Sequence, residues 1–311
     1  MPGGLDSGGQ NGYVGAGTRL EKVSLLPLTL DPAPPAFATR QAPFTQEELA
    51  TFKAAVGPLV GLDLEAYKPR QMERRIVALL YRSGVRTLGE LRTQLETNPQ
   101  RLEAFVDGLT INVSEFLRNP DKFQELGERV LPELLARHER LRVWSAGCSM
   151  GAELYSVGMW LEALGALDRC ELVGSDLDRA ILARAEAGLY GDHELQGVPE
   201  AWRARYFQPE GARTRFTGDA IRARTRFFAH NLLAAPPVAD CQLILCRNVV
   251  IYLNDASKQQ LYRAFARALV PGGVLFLGST ERIFGHRELG FEAPSPFFYR
   301  KPASSPAGKE A

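Results

Sequence analysis

Residues 143–158 read VWSAGCSMGAELYSVG. Within them Gly147-Cys148-Ser149-Met150-Gly151 spells G-x-S-x-G, the pattern of a nucleophile elbow in serine hydrolases. The same residues form a short glycine-containing turn between an apolar run and a helical pattern, the arrangement that opens nucleotide-binding α/β domains. The first reading makes Ser149 a nucleophile. The second makes room for a cofactor. What precedes and follows the turn decides between them.

Upstream, residues 44–138 carry helical patterns and no convincing strand. Thr45 with Glu48 three residues on is a capping box. Met72, Ile76, Leu79 and Leu80 fall on one face at helical spacing. Downstream, apolar runs alternate with helical stretches: LRVWSAG, then ELYSVGMWLEALGAL, then CELVGSD, then LDRAILARAEAGLY, and further on CQLILCRN, SKQQLYRAFARALVPGG and VLFLGS. That alternation predicts a parallel sheet with helices on both faces. RVWS is then the first strand of its sheet. A hydrolase elbow follows several earlier strands, whereas a cofactor loop follows the first. A triad of Ser149, Asp240 and His286 can be assembled in the right order, but the position of the turn argues against it.

The second strand supports the cofactor. It ends at Asp176, 25 residues beyond Gly151, where a carboxylate can accept hydrogen bonds from a ribose diol. Asp176 can also serve as the N-cap of the following helix. The turn is not G-x-G-x-x-G, so a nucleoside without a pyrophosphate fits better than a dinucleotide.

Composition narrows the function classes. The chain has 311 residues, 45% hydrophobic and 23% charged, with a formal net charge of +1. No whole-molecule field points to nucleic acid or to a membrane surface. The four cysteines form no C-x-x-C and the four histidines are scattered, so neither a metal site nor a disulfide framework is expected. Reduced thiols and the lack of a signal-peptide pattern predict a cytoplasmic protein, and no apolar run is long enough to span a bilayer. A flexible tail is expected over 1–43, a helical domain over 44–138, an α/β domain over 139–303 with a small β insert at 207–227, and a second tail over 304–311.

LTINVSEFLRN, RVWSAGCSMGAELYS, GSDLD, NLL and CRNVVIYL occur in this order. The pattern resembles the bacterial chemotaxis receptor methyltransferases, the CheR family, from about residue 46 to 302. The resemblance implies a Rossmann-like α/β domain that binds S-adenosylmethionine, preceded by an all-helical domain. It implies methyl transfer to glutamate side chains of chemoreceptors. Asn112, Ser114 and Arg118 match the segment that caps the cofactor pocket, with the arginine near the transferable methyl. Gly147 and Glu153 match the cofactor loop and its following helix, and Ala152 stands where the family has a first acid. Asp176 matches the ribose-binding acid, and Asn231 with Leu232 the segment beside the adenine. Asn248, Val249 and Tyr252 match the segment that floors the site. Arg118 and Tyr252 are the catalytic candidates. Apart from the resemblance, Asn112 and Asn231 can be turn residues and Tyr252 can be core packing.

This chemistry suits these residues. A glutamate acceptor is an anion at neutral pH, with an ordinary pKa of ~4.3, and needs no general base. The protein must hold it in line with methyl carbon and sulfur, and a cation such as Arg118 keeps it ionised. No metal is required. Residues 68–101 carry eight basic against three acidic side chains. A face including Arg70, Arg74 and Arg75 is expected to dock the helical cytoplasmic region of a chemoreceptor, with neither nucleic acid nor membrane as a partner. A monomer is expected. The competing function is a nucleoside-binding signalling module that has lost catalysis, which the exchange at Ala152 keeps open.

Overall fold

A computed structural model describes residues 42–110 and 114–303. The expected tails, but for residues 42 and 43, and the expected cofactor contact Asn112 lie outside the described residues.

Four helices come first. Helix α1 (Gln46–Val60) opens on the capping box read in the sequence: the Glu48 N–H donates to the Thr45 hydroxyl and the Thr45 N–H to the Glu48 carboxylate. Gly61 closes it at φ +69°, a conformation that glycine adopts without a Cβ penalty. Helix α2 (Pro69–Ser83) starts on a proline, whose missing N–H costs nothing at that position. Helix α3 (Leu88–Thr97) has a second capping box, from Thr87 and Glu90, and α4 (Pro99–Leu109) is capped by Asn98. Phe52, Val56, Ile76, Leu80, Leu91 and Phe105 form their shared core.

Helix α5 (Pro120–Glu125), a single π-helical stretch (Leu126–Val130) and α6 (Leu131–Arg137) continue the helical run. They bury elsewhere. Phe123, Leu126, Val130 and Leu131 join the core beneath the sheet, with Val143, Leu243 and Phe276. Their apolar faces match the strands rather than α1–α4, so the helical stretch 44–138 divides its packing between two cores.

The sheet begins with β1 (Leu141–Ala146), followed by α7 (Ala152–Ala163), β2 (Cys170–Asp176) and α8 (Arg179–Ala187). Next come β3 (Leu189–Tyr190), α9 (Glu200–Tyr206), β4 (Phe207–Glu210), β5 (Arg213–Phe216), α10 (Asp219–Ala223) and β6 (Thr225–Ala229). The chain ends through β7 (Cys241–Cys246), α11 (Asp255–Ala268), β8 (Leu269–Leu277), β9 (Glu292–Ser295) and β10 (Phe298–Arg300). The main sheet has the order β6-β2-β1-β7-β8-β10-β9. Its first five strands are parallel, and β10 runs antiparallel to both neighbours. The near-continuous apolar runs of β1, β2 and β7 follow from burial on both faces.

The small sheet has the order β3-β5-β4. Residues 207–216 supply two of its strands and 189–190 the third, while residues 225–229 form the outer strand β6 of the main sheet. The aromatic run at 227–228 therefore pairs with β2 instead of closing the insert.

Chain order reverses between β1 and β7. From β1 the strands proceed outward through β2 to β6, and from β7 outward through β8. A ligand crevice is expected beyond the carboxyl ends of the strands at such a switch point. No described helix is long and apolar enough to cross a membrane.

Candidate functional site

A cleft of about 1160 Å³, its open mouth included, lies at that switch point. Its lining brings together Ser114, Arg118, Gly147, Glu153, Asp176, Asn231, Leu232, Asn248, Val249 and Tyr252. These come from five separate stretches of sequence. Helix α2 and the turn before it close the cleft with Tyr67, Met72 and Arg75.

The loop after β1 is shaped by backbone. Gly147, Ser149 and Gly151 all have positive φ, at +81°, +50° and +80°. At Gly147 a Cβ would come within 2.7 Å of Val249 Cγ2, so glycine is what lets this loop lie against Val249. The N–H groups of Gly147 and Cys148 both donate to the Ser175 carbonyl, at 2.8 and 3.0 Å. Cys148 is buried, and burial pushes its thiol far above the usual range, so it stays protonated.

Asp176 is only 9% exposed. Its Oδ2 accepts the Ser149 N–H at 2.8 Å and its Oδ1 the Asp178 N–H at 3.2 Å. Burial raises its pKa against the pull of these donors. Capping α8 falls to Asp178, whose Oδ1 accepts from Ala180 and Ile181, so Asp176 is not the helix cap.

Glu153 sits in the first turn of α7, its side chain 12% exposed. Its Oε1 accepts the Ser145 hydroxyl at 2.7 Å, and its Oε2 lies 3.4 Å from Arg247 Nη1. Burial raises its pKa, and the Arg247 guanidinium opposes the shift. Arg247, at the end of β7, also donates through Nη2 to the Arg118 carbonyl and to Asn119 Oδ1, both at 2.7 Å. Its Cζ stands 4.7 Å from the centre of the Phe276 ring and 5.1 Å from that of Phe123. Arg247 thus couples the floor of the cleft to the segment that carries Arg118. Sequence reasoning passed over it, although a charged residue directly after a fully buried strand was a visible signal.

Asn231 spends its side chain within the protein. Its Oδ1 accepts the Leu233 N–H at 3.0 Å and its Nδ2 donates to the Gly61 carbonyl at 2.8 Å. It is both a turn residue and a clip to the end of α1. Tyr252 lies under a cation: Arg75 Cζ stands 4.8 Å from its ring centre.

That contact corrects one expectation. Arg70 and Arg74 are exposed on α2, but Arg75 turns inward, lines the cleft and has a buried Nη2 with no partner. Arg75 therefore does not belong to the exposed basic face. It is three residues from Met72 and adjacent to Ile76, hence beside the apolar stripe of α2, which was the signal for its direction.

The triad of the hydrolase reading does not assemble. Asp240 immediately precedes β7, whereas Ser149 follows β1. The two strands are parallel with Val143 opposite Leu243, so the two residues lie at opposite ends of the sheet, roughly 20 Å apart at strand rise. Among the described residues no group of three or more His, Cys, Asp or Glu is arranged to hold a metal.

Matches to known families follow this geometry. The model described as the SAM binding domain of CheR methyltransferase matches residues 112–295, and the CheR methyltransferase all-alpha domain matches residues 47–110. The chain belongs to the CheR methyltransferase family. It is 36% identical over 260 residues to the chemotaxis protein methyltransferase of Listeria monocytogenes, covering 83% of this chain and 99% of that one. Against chemotaxis protein methyltransferase 1 of Pseudomonas aeruginosa the identity is 33%, over 75% and 89% of the two chains. Against the chemotaxis protein methyltransferase of Klebsiella aerogenes it is 34%, over 71% and 78%.

The CheR cofactor is S-adenosylmethionine, and the cleft fits it. Ser149 Oγ, His230 Nε2 and Asn248 Oδ1 are buried, line the cleft and have no partner within the protein. Buried polar atoms are rarely left unmatched, so a polar ligand is what this CheR cleft is shaped to receive. Burial lowers the His230 pKa, favouring the neutral imidazole. Membership of the family makes this a chemotaxis methyltransferase dependent on S-adenosylmethionine.

Proposed function

We propose that this chain methylates glutamate side chains of chemoreceptors. The observation that carries the reading is the charge of the cleft. Arg75, Arg118 and Arg247 all line it; of its three carboxylates, Glu153 and Asp176 already accept hydrogen bonds from the protein and Glu115 lies 3.9 Å from Arg118. An anionic acceptor fits such a lining. An amine acceptor would need a base to remove its proton, and a carboxylate needs none.

S-adenosylmethionine supplies a methyl group on a positively charged sulfur. The protein binds, orients and excludes water. Asp176 would accept from the ribose hydroxyls, with Gly147, Asn231, Leu232 and Val249 around the base. Ser114, Glu153 and Asn248 would surround the methionine portion. Arg118, its side chain 32% exposed at the cleft, would hold the acceptor carboxylate ionised and in line. Tyr252 would form the wall opposite, its ring fixed by Arg75. The exposed Arg70 and Arg74 would meet an acidic receptor helix, where complementary charge sets register and encounter rate.

The alternative of a binding module without catalysis drew on Ala152. That residue is fully buried in the core under α7, and it is absent from the cleft lining, so its side chain is not where substrate would sit. The experiment is transfer of labelled methyl to a cytoplasmic receptor fragment. A methyl ester releases volatile methanol in mild alkali. Label that survives alkali means an N- or C-methyl product and removes the glutamate assignment. Binding of S-adenosylmethionine without transfer to any receptor fragment would restore the module.

A further inference from the structure

Glu281 lies outside the cleft lining, yet it is the most completely committed carboxylate near it. It is 2% exposed. Its Oε2 accepts the N–H of Asn248 at 2.9 Å and that of Gly278 at 2.7 Å, and its Oε1 faces the Ile251 N–H at 3.4 Å. One side chain thus gathers N–H groups from beyond the carboxyl ends of two neighbouring parallel strands: the turn after β8 and the segment after β7 that lines the cleft. Burial raises its pKa against these donors, which is the cost of keeping an acceptor there.

What Glu281 holds is a left-handed residue. Asn248 has φ +62°, a conformation that asparagine reaches more readily than most non-glycine residues but that its surroundings must still select. Asn248 also lines the cleft and has a buried Oδ1 without a partner within the protein. The junction is tight on its other side. A Cβ on Gly278 would come within 2.7 Å of Glu281 Oε2 and 2.9 Å of Asn248 N. Gly278 therefore leaves room for the carboxylate to reach the Asn248 amide.

We propose that Glu281 is a positioning residue for the cofactor site: it holds Asn248 in its left-handed conformation and so aims the Asn248 side-chain amide at the ligand. The inference rests on the assignment of Asn248 to the cofactor. Its logic differs from that of a general core contact, because the proposed effect on the cofactor runs through Asn248, one of the several amides that Glu281 holds. Loss of the clamp should matter only while the Asn248 side chain is there to be aimed.

The test is a double-mutant cycle read by calorimetric binding of S-adenosylhomocysteine, with thermal unfolding as a second readout. Asn248→Ala is expected to weaken binding about tenfold, the scale of one hydrogen bond to a charged group. Glu281→Ala is expected to weaken it by a similar factor. Glu281→Gln keeps an oxygen for the two short bonds but turns its NH₂ toward the amides of Ile251 and Val250, so it should lose less affinity than Glu281→Ala without matching the parent. In the Asn248→Ala background, Glu281→Ala should add less than about twofold, since coupled residues are non-additive. Should Glu281→Ala not fold, Gly278→Ala runs the same cycle by wedging the clamp apart. An unchanged dissociation constant for Asn248→Ala alone would remove the cofactor assignment and the proposal with it. Loss of affinity in Asn248→Ala with none in Glu281→Ala, or fully additive losses in the double variant, would overturn the positioning role alone.

Discussion

The backbone N–H of Ser149 donates to Oδ2 of Asp176 across 2.8 Å. That bond joins the loop after the first strand of the sheet to the tip of the second. It gives the serine of the G-x-S-x-G pattern a role for its amide, and it leaves the hydroxyl aimed into the cofactor cleft.

Asp176→Ala removes a carboxylate that both shapes this loop and faces the cleft. Affinity for S-adenosylhomocysteine should fall by ~1.5–3 kcal/mol, the scale of a lost charge-assisted hydrogen bond. Titration calorimetry reads this directly, and an unaltered dissociation constant would count against the ribose contact.

The same carboxylate sets a pH dependence. Burial raises its pKa in the folded chain, so between the unfolded and folded values the native state holds the extra proton. Stability from this group is present at low pH and declines as pH rises through that window. Asp176→Asn lacks the ionisation. The melting temperature of the ligand-free parent minus that of Asp176→Asn should therefore fall from about pH 4 upward and then level off. A difference that stays flat across this range would mean that Asp176 ionises in the folded chain as it does in water.

Ser149→Ala should leave methyl transfer within about fivefold of the parent, because the loop uses the serine amide and a hydroxyl contact to a ligand is worth roughly 1 kcal/mol or less. Loss of an esterase activity in this variant would reinstate the nucleophile.

Arg118→Ala should lower turnover far more than cofactor affinity, since its proposed work is on the acceptor. Steady-state kinetics beside calorimetry separates the two. A parallel fall in both would make Arg118 a cofactor ligand.

Helix α2 divides its arginines between two tasks. Charge reversal at Arg70 and Arg74 should raise the receptor KM and flatten its salt dependence, with cofactor affinity intact. Arg75→Glu should instead damage the cleft, placing a carboxylate against the Tyr252 ring. Equal effects of both sets on receptor KM alone would return Arg75 to the outer face.

The parallel sheet was legible because strands buried on both faces read as unbroken apolar runs. The cofactor loop was legible from its place after the first such run. Other features depend on contacts that leave no local trace. Phe123 and Leu131 are apolar at helical spacing whichever core they enter, so the sequence did not show that they pack beneath the sheet. Glu281 reaches amides 30 and 33 positions upstream, and no spacing rule connects them. Arg75 could have been placed, since it borders the apolar stripe of α2. A run of like charges drew it instead to the outer face.

The guanidinium of Arg247 touches the rings of Phe123 and Phe276, the carboxylate of Glu153 and the backbone of Arg118. Positions 123, 153, 247 and 276, distant in the chain, therefore share one fate under mutation. A neutral residue at 247 would strand Glu153 without its cation, and a smaller residue at 276 would loosen the arginine that holds the segment of Arg118. Lineages that change one of these positions should be found to have changed another, and engineered swaps at this spot should succeed as a group where single exchanges fail.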